Sequence, residues 1–186
     1  MAAAEPVIQH MFPCETIDLS DQKFLYLEKL PIETIKKISL IINNTLKKYI
    51  KNLPLEEYKD LYSSKTLPEV TFCDFVERII QFTRIDLCTL THSIILTNLY
   101  LNQSPDRKLT EYNIHRLFAA VTFSSAKYCQ DRTFDYNCFA KIFGIPELEL
   151  KRLVIDFLFH IKFTLHFPTK LLLEYTCFKK NINISY

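Results

Sequence analysis

The chain has 186 residues, of which 48% are apolar, and a formal net charge of +2. This length suits one domain with extensions, and the small net charge provides no global field that would attract nucleic acid or a membrane surface. The chain has one glycine, Gly144, where a chain of this length ordinarily carries about a dozen. Phosphate-cradling loops, dinucleotide-binding turns and nucleophile elbows all need glycine, so enzymes and cofactor sites built on them are excluded.

The first 66 residues are expected to form an irregular arm over residues 1–25 and a helical extension over residues 26–66. Proline is favoured in the first turn of a helix, so Pro31 predicts the start of the first helix. Pro54 interrupts the helical pattern, and a short helix is predicted over Leu55–Tyr62. The apolar face of the first helix recurs at intervals of three and four residues and consists of Ile35, Ile38, Ile42, Leu46 and Tyr49.

Five further helices are predicted in a compact domain over residues 67–167. The tail over residues 168–186 is expected to contain a further helix from Leu171 onward. Gly144 is expected to close the fourth of these helices in the left-handed conformation that favours glycine. The residues predicted to begin the five helices are Thr71, Asp86, Thr110, Asp135 and Pro146. The second helix falls in the apolar run Ile85–Leu101, whose polar residues indicate a buried core helix rather than a membrane span.

The third helix of this domain has small residues through its centre. Apolar side chains recur along it, and small ones occupy the remaining positions, so most of its sides lack polar groups. Such a helix is surrounded by neighbours that approach it closely. The small residues are Ala119, Ala120, Ser124, Ser125 and Ala126.

Cysteine and histidine positions argue against disulfides and metal sites. No two of the six cysteines form a CxxC pair, and no histidines have metal-ligand spacing. Residues 1–13 lack the basic start and apolar core of a signal peptide. We therefore expect free thiols in an intracellular protein, in the cytoplasm or the nucleus. The cysteines are Cys14, Cys73, Cys88, Cys129, Cys138 and Cys177.

A series of short motifs occurs in order along residues 67–166. The motifs are Asp74–Ile79, Tyr100–Asn102, Asn113–Leu117, Ala126–Tyr128 with Asp131, Tyr136–Asn137, Phe139–Lys141, Gly144–Ile145, Phe157–Phe159 and Phe163. Their order and spacing, rather than any one motif, resemble a cyclin box, and the resemblance is closest to the P/U-type cyclins of the phosphate pathway.

The resemblance implies an all-α fold: a single cyclin box of five helices around a central third helix, with flanking N-terminal and C-terminal helices. It also implies a regulatory cyclin subunit that binds and activates a cyclin-dependent protein kinase. Such a subunit holds the kinase αC helix in the position that catalysis requires, which shifts the population of kinase conformations. The expected protein is not an enzyme and has a kinase as partner, with no cofactor, metal, small-molecule substrate or membrane.

Five residues match family positions that contact the kinase. Lys127, late in the third helix, is expected to donate to kinase backbone, whereas a solvated lysine at a helix C-terminus is the structural alternative. Tyr128, Leu158 and Phe163 are expected to bury apolar surface against the kinase, with core packing as the alternative. Val154 stands where the family usually has a glutamate that partners the lysine site.

Two departures from the family pattern affect this expectation. Asp156 replaces the missing glutamate only if the helix end is turned differently, because two positions rotate a helix by about 200°. The family's arginine, here Arg78, usually pairs with an aspartate at the end of the second helix, where this chain has Asn102. We interpret Arg78, Asn102 and Gly144 as structural residues, and a buried Arg78 would need another carboxylate nearby.

An alternative function remains open at this point: a cyclin-fold adaptor in transcription that binds nucleic acid or a polymerase factor. Such adaptors usually carry two boxes and a basic face, and only one box fits here. The lysines of the first helix lack interleaved aromatic residues, which favours a solvated surface over a phosphate-binding one. We also predict that deleting residues 1–62 leaves a folded box that binds its kinase more weakly.

Overall fold

The computed structural model describes residues 31–103, 106–131 and 133–168. The expected all-α architecture is confirmed: these ranges contain six helices and no strand, apart from one isolated bridge between Ile50 and Leu109. The predictions for the arm over residues 1–25 and for a helix after Leu171 concern residues outside the described ranges. The helices are α1 (Ile32–Lys47), α2 (Phe72–Thr83), α3 (Leu87–Gln103), α4 (Ile114–Cys129), α5 (Tyr136–Phe143) and α6 (Glu147–His160).

Helix α4 is the centre of the fold, as its small residues predicted. Of its 16 residues, all from Leu117 to Ala126 are buried, together with Ile114. It packs against α2, α3 and α6, while α5 joins α2 to α6 on the outside. Alanine and serine at the centre allow this, because short side chains let neighbouring helices come close on several sides.

Three helix starts follow the predicted caps. Thr71 Oγ1 accepts from the Asp74 amide at 3.2 Å, Asp86 Oδ1 accepts from the Thr89 amide at 2.7 Å, and Asp135 Oδ1 accepts from the Cys138 amide at 2.9 Å. Each bond satisfies an amide that has no partner within its helix, which is worth about 1 kcal/mol. Residues before each helix therefore fix where α2, α3 and α5 begin.

The predicted cap at Thr110 is wrong. Helix α4 begins at Ile114, and Asn113 organises the preceding turn by accepting from the Thr110 amide at 2.8 Å and donating to the Lys108 carbonyl at 2.8 Å. The Thr110 hydroxyl is buried and has no hydrogen-bond partner among the described residues. The Asn113 amide group donates two hydrogens, to the Lys108 carbonyl and to Asp60 Oδ2, while its oxygen accepts from Thr110, whereas a hydroxyl has a single hydrogen to donate.

The helix predicted over Leu55–Tyr62 is also wrong, because this segment forms turns. Asp60 organises one of them: its carboxylate accepts from the Tyr62 amide at 3.0 Å and from the Ser63 hydroxyl at 2.8 Å. Aspartate bonds of this kind compete with helical ones. The turn directs the Tyr62 ring into the core, where it is fully buried.

Tyr62 belongs to a polar network that fastens one side of α6. Its hydroxyl donates towards Asp156 Oδ2 at 2.9 Å and lies 3.2 Å from the Leu153 carbonyl. Arg107 lies 3.6 Å from the same Asp156 oxygen and donates to the Tyr100 hydroxyl at 2.9 Å. Burial is the largest cause of the raised pKa values of Tyr62 and Tyr100, so both phenols remain neutral. We call these residues, with His160 beside Asp156, the fastening network.

Helix α1 joins the same core through its predicted apolar face. Ile35, Ile38, Ile42 and Leu46 are buried, and the helix packs against α2. Pro31 lies one position before the first helical residue, where its fixed φ still suits the entry to the helix. The extension is thus packed as part of the core rather than appended to it.

Two further expectations concern disulfide bonds between cysteines and helices that could span a membrane. The four described cysteines, Cys73, Cys88, Cys129 and Cys138, form no disulfide with one another. None of the described helices combines the length and hydropathy that crossing a bilayer requires.

Candidate functional site

A groove of about 300 Å³ lies between α4 and α6. Helix α4 contributes one wall and α6 the opposite wall, while the first residue of α5 and the segment after α6 close its ends. We call it the α4–α6 groove. Its lining residues are Phe123, Ser124, Lys127, Tyr128, Tyr136, Val154, Leu158 and Leu165.

Helical periodicity explains how each wall is built. Phe123 and Lys127 are four residues apart on α4, and Val154 and Leu158 are four apart on α6. Residues at this spacing lie one above the other on the same face of a helix. Four of the five residues that the sequence placed at a kinase contact, Lys127, Tyr128, Val154 and Leu158, are brought together here.

Lys127 lies at the rim of the groove, in the last turn of α4. Its Nζ donates to the Phe134 carbonyl at 2.8 Å and lies 5.5 Å from the centroid of the Phe123 ring. Asp135 has a lowered pKa, first because its carboxylate accepts from Cys138 and also because Lys127 is close. An ammonium carries three hydrogens, so the bond to Phe134 leaves two available to a further acceptor.

Tyr128 is 46% exposed at the rim, and its orientation is fixed on two sides. Its hydroxyl is 3.1 Å from His166 Nδ1, and its ring stacks on that of His92 with centroids 5.3 Å apart. The side chain therefore offers a preset apolar surface, since little rotamer freedom remains to be lost on binding.

The α6 wall of the groove is apolar. Val154 is only 3% exposed, whereas Leu158 is half-buried and presents more of its surface. Asp156 does not replace the missing glutamate, because its carboxylate is held in the fastening network by Tyr62 and Arg107. Among the described residues that line the groove there is no carboxylate, and Lys127 is the one charged residue.

Phe163 lies outside the groove lining. It is 57% exposed and packs edge-on against Phe159 with centroids 5.3 Å apart. Leu165, two residues later, enters the lining instead. The turn that brings it back has positive φ at Lys162 (52°) and Phe163 (57°). This backbone conformation costs about 1–2 kcal/mol at each non-glycine residue, so surrounding contacts must hold it.

The sequence prediction missed four groove residues. Phe123 and Ser124 were detectable, because they lie one helical turn before Lys127 and Tyr128. Tyr136 and Leu165 come from other elements, and only the path of the chain between helices places them here.

The three residues interpreted as structural lie away from the groove. Arg78 contacts the Phe75 ring at 5.7 Å and lies 3.8 Å from the place where a Cβ on Gly144 would be. Within the described ranges no carboxylate pairs with Arg78, its Nε is buried without a partner, and Asn102 is exposed. Gly144 closes α5 with φ of 68°, a conformation that glycine adopts without strain.

Comparison with known proteins places this fold and groove in context. The family model that matches is the cyclin model, over residues 24–165. The chain is 26% identical over 127 residues to cyclin-U4-3 of Arabidopsis thaliana, covering 68% of this chain and 58% of that protein. It is 23% identical to cyclin-U2-2 of Arabidopsis thaliana over 117 residues, covering 63% and 51%. It is 27% identical to cyclin-P4-1 of Oryza sativa subsp. japonica over 105 residues, covering 56% and 50%.

These relatives are U- and P-type cyclins, the group that the sequence motifs indicated. The match spans about half the length of each. Cyclins are regulatory proteins rather than enzymes. With the cyclin model covering most of its length and helices arranged around a buried α4, this chain belongs to the cyclin family.

Proposed function

We propose that this protein binds a cyclin-dependent protein kinase inside the cell and activates it by holding the kinase αC helix in its active position. The α4–α6 groove is the docking site. The observation that supports this most directly is the meeting of Lys127, Tyr128, Val154 and Leu158 in one groove, since these residues lie up to 31 positions apart in the chain.

The chemistry of the groove suits an amphipathic helix. Such a helix inserts apolar side chains into an apolar groove and leaves its polar side in solvent. Leu158 and the Tyr128 ring supply apolar surface, while Lys127 supplies two unused N–H groups at the rim. Those groups suit a carbonyl or carboxylate of the partner, and each charge-assisted hydrogen bond contributes about 1.5–3 kcal/mol.

Activation then follows from preferential binding. A kinase alternates between conformations with αC inward and outward, and a protein that binds only the inward form raises its population. Moving the balance from 1:99 to 99:1 takes a preference of about 10⁴-fold, or 5.5 kcal/mol. The protein supplies the binding energy, and the kinase supplies all catalytic groups.

The direct test is capture of purified cyclin-dependent kinases by the full chain, with affinity measured by calorimetry. Lys127→Glu should weaken binding by at least about tenfold, because it removes the rim donor and places a carboxylate where the partner offers an acceptor. The matched control is Lys141→Glu, which changes a lysine in the last turn of α5 that is outside the groove lining.

Two outcomes contradict the proposal. One is a folded wild-type chain that binds no kinase of this class. The other is equal weakening by the Lys127 and Lys141 substitutions, which would indicate a general charge effect. A gel-shift experiment at physiological salt tests the nucleic-acid-binding adaptor, because phosphate contacts would give a shift that falls steeply as salt rises.

A further inference from the structure

His92 connects three elements around the α4–α6 groove without lining it. It lies on α3 and is 1% exposed. Its Nδ1 is 3.0 Å from Ser125 Oγ on α4, and its Nε2 is 2.7 Å from the Leu165 carbonyl in the segment after α6. A carbonyl oxygen only accepts, so Nε2 carries a hydrogen; burial lowers the pKa of His92 and favours the neutral ring, in which Nδ1 accepts from the serine hydroxyl.

The His92 ring also contacts Tyr128, a second residue that lines the groove. Its face stacks on Tyr128 with an angle of 16° between the rings, and Phe167 contacts it with centroids 5.4 Å apart. Tyr128 in turn bonds His166 through its hydroxyl. Both groove residues, Tyr128 and Leu165, therefore contact His92 directly.

The segment over residues 164–167 has few other polar anchors. The amides of Thr164 and Leu165 bond carbonyls of Ile161 and Phe163, within the turn itself. In the described ranges, hydrogen bonds from this segment to the rest of the fold come only from His92 and Tyr128. Leu165 and Phe167 also pack against the core, and the left-handed residues Lys162 and Phe163 precede the segment, so those bonds add polar ties to the apolar contacts that bring the chain back to α4.

We propose that His92 is the positioning residue of the docking groove. By donating to the Leu165 carbonyl and stacking on Tyr128, it fixes the returning segment, so that Leu165 and Tyr128 are already in position when the partner helix binds. The docking part of this inference rests on the proposed function. The positioning part stands on the contacts of His92 alone and is measurable without a kinase.

The ring nitrogens of the wild-type protein give the first test. In ¹⁵N NMR spectra, His92 is expected as the neutral tautomer with hydrogen on Nε2, and that hydrogen should exchange slowly with solvent. A ring with hydrogen on Nδ1, or with rapid exchange at Nε2, would overturn the inference, and this measurement needs no variant that might fail to fold.

Two substitutions then separate positioning from general stability. His92→Phe keeps a ring beside Tyr128 but removes the donor, whereas His92→Gln keeps a neutral donor of similar reach. For His92→Phe, amide exchange at residues 164–167 should rise about tenfold with α4 unaffected, since the opening is local. Affinity for the captured kinase should fall about tenfold under conditions where the variant is fully folded, because a mobile segment must be ordered on binding.

In His92→Gln, the amide exchange rate at residues 164–167 and the affinity for the kinase should both return to within about threefold of the wild type, as expected when a hydrogen bond is restored. Unchanged exchange at residues 164–167 in His92→Phe overturns positioning. Raised exchange with unchanged kinase affinity overturns the docking part only. A wild-type chain that binds no kinase contradicts the proposed function, and the NMR and exchange measurements still decide the role of His92.

Discussion

The two sides of α6 are built in opposite ways. On one side, Asp156 is held by Tyr62 and Arg107 in the fastening network. On the other, Val154 and Leu158 face the α4–α6 groove, whose described lining residues form an apolar wall on α6 and include no carboxylate. A hydrogen-bonded polar network fixes the position of a helix, because each broken bond would leave a buried group unsatisfied.

This difference shows how a small helical domain presents a stable docking surface. The polar groups on the Asp156 side, the fastened side, hold α6 in place. The groove side, the open side, therefore needs no polar groups for that purpose. The open side keeps apolar surface and the two unused hydrogens of Lys127. Substitutions on the fastened side should therefore reduce stability, and those on the open side should reduce binding.

The largest expected effect comes from removing residues 1–62, which takes away α1 and Tyr62. The sequence predicted a folded box after this deletion, but the packing gives a different expectation. Burial of Ile35, Ile38, Ile42 and Leu46 contributes roughly 6–12 kcal/mol at 1.5–3 kcal/mol each, comparable to the stability of a whole domain. Circular dichroism should show loss of cooperative thermal unfolding. A chain beginning at residue 31 is the control, and a cooperative transition in the shorter chain would contradict the expectation.

The second-largest loss of stability is expected from a single substitution on the fastened side. Tyr62→Ala is expected to lower the free energy of unfolding by about 3–5 kcal/mol, because it empties a fully buried ring site. Tyr62→Phe keeps the ring and removes only the hydroxyl that meets Asp156, at a cost of about 1–2 kcal/mol. Urea denaturation measures both. Equal losses in the two variants would show that the hydroxyl, rather than the ring, dominates this side.

A change on the open side should affect binding more than stability. Leu158→Asp should weaken kinase affinity by about 2 kcal/mol, or some 30-fold, because it buries a carboxylate against the apolar partner. Ile155→Asp is the matched control: Ile155 is 54% exposed on the same helix and lies outside the groove lining. Similar weakening by the two substitutions would place the binding surface elsewhere on α6.

The smallest expected effect is on pH dependence. Burial is the first cause of the lowered pKa values of His92 and His115, so both rings stay neutral in the folded state. Their contribution to stability is complete above the unfolded pKa of about 6.5 and is lost as pH falls towards the lower folded values. Between pH 7.5 and 5.5, the wild type should lose roughly 1 kcal/mol more stability than His92→Gln. Urea titrations at both pH values measure this, and equal losses would indicate that His92 titrates normally when folded.

Local chemistry made much of the fold predictable. Thr71, Asp86 and Asp135 cap helices through bonds to amides three residues away, so neighbouring residues alone determine them. Gly144 follows from the same reasoning, because only the local backbone demands its positive φ. Asn113 was missed because its amide also serves Lys108 and Asp60, and Asp60 lies 53 positions earlier in the chain.

The groove residues also divide into those that the local sequence determines and those that only the tertiary structure brings into place. The sequence by itself determined the six described helices, the buried character of α4 and the groove residues that share a helix face, because each depends on spacing within one element. Only the tertiary structure decided that Leu165 rather than Phe163 completes the groove and that His92 holds it there. The reason is physical: a bond between residues 73 positions apart depends on how three elements pack, and no local pattern encodes that distance.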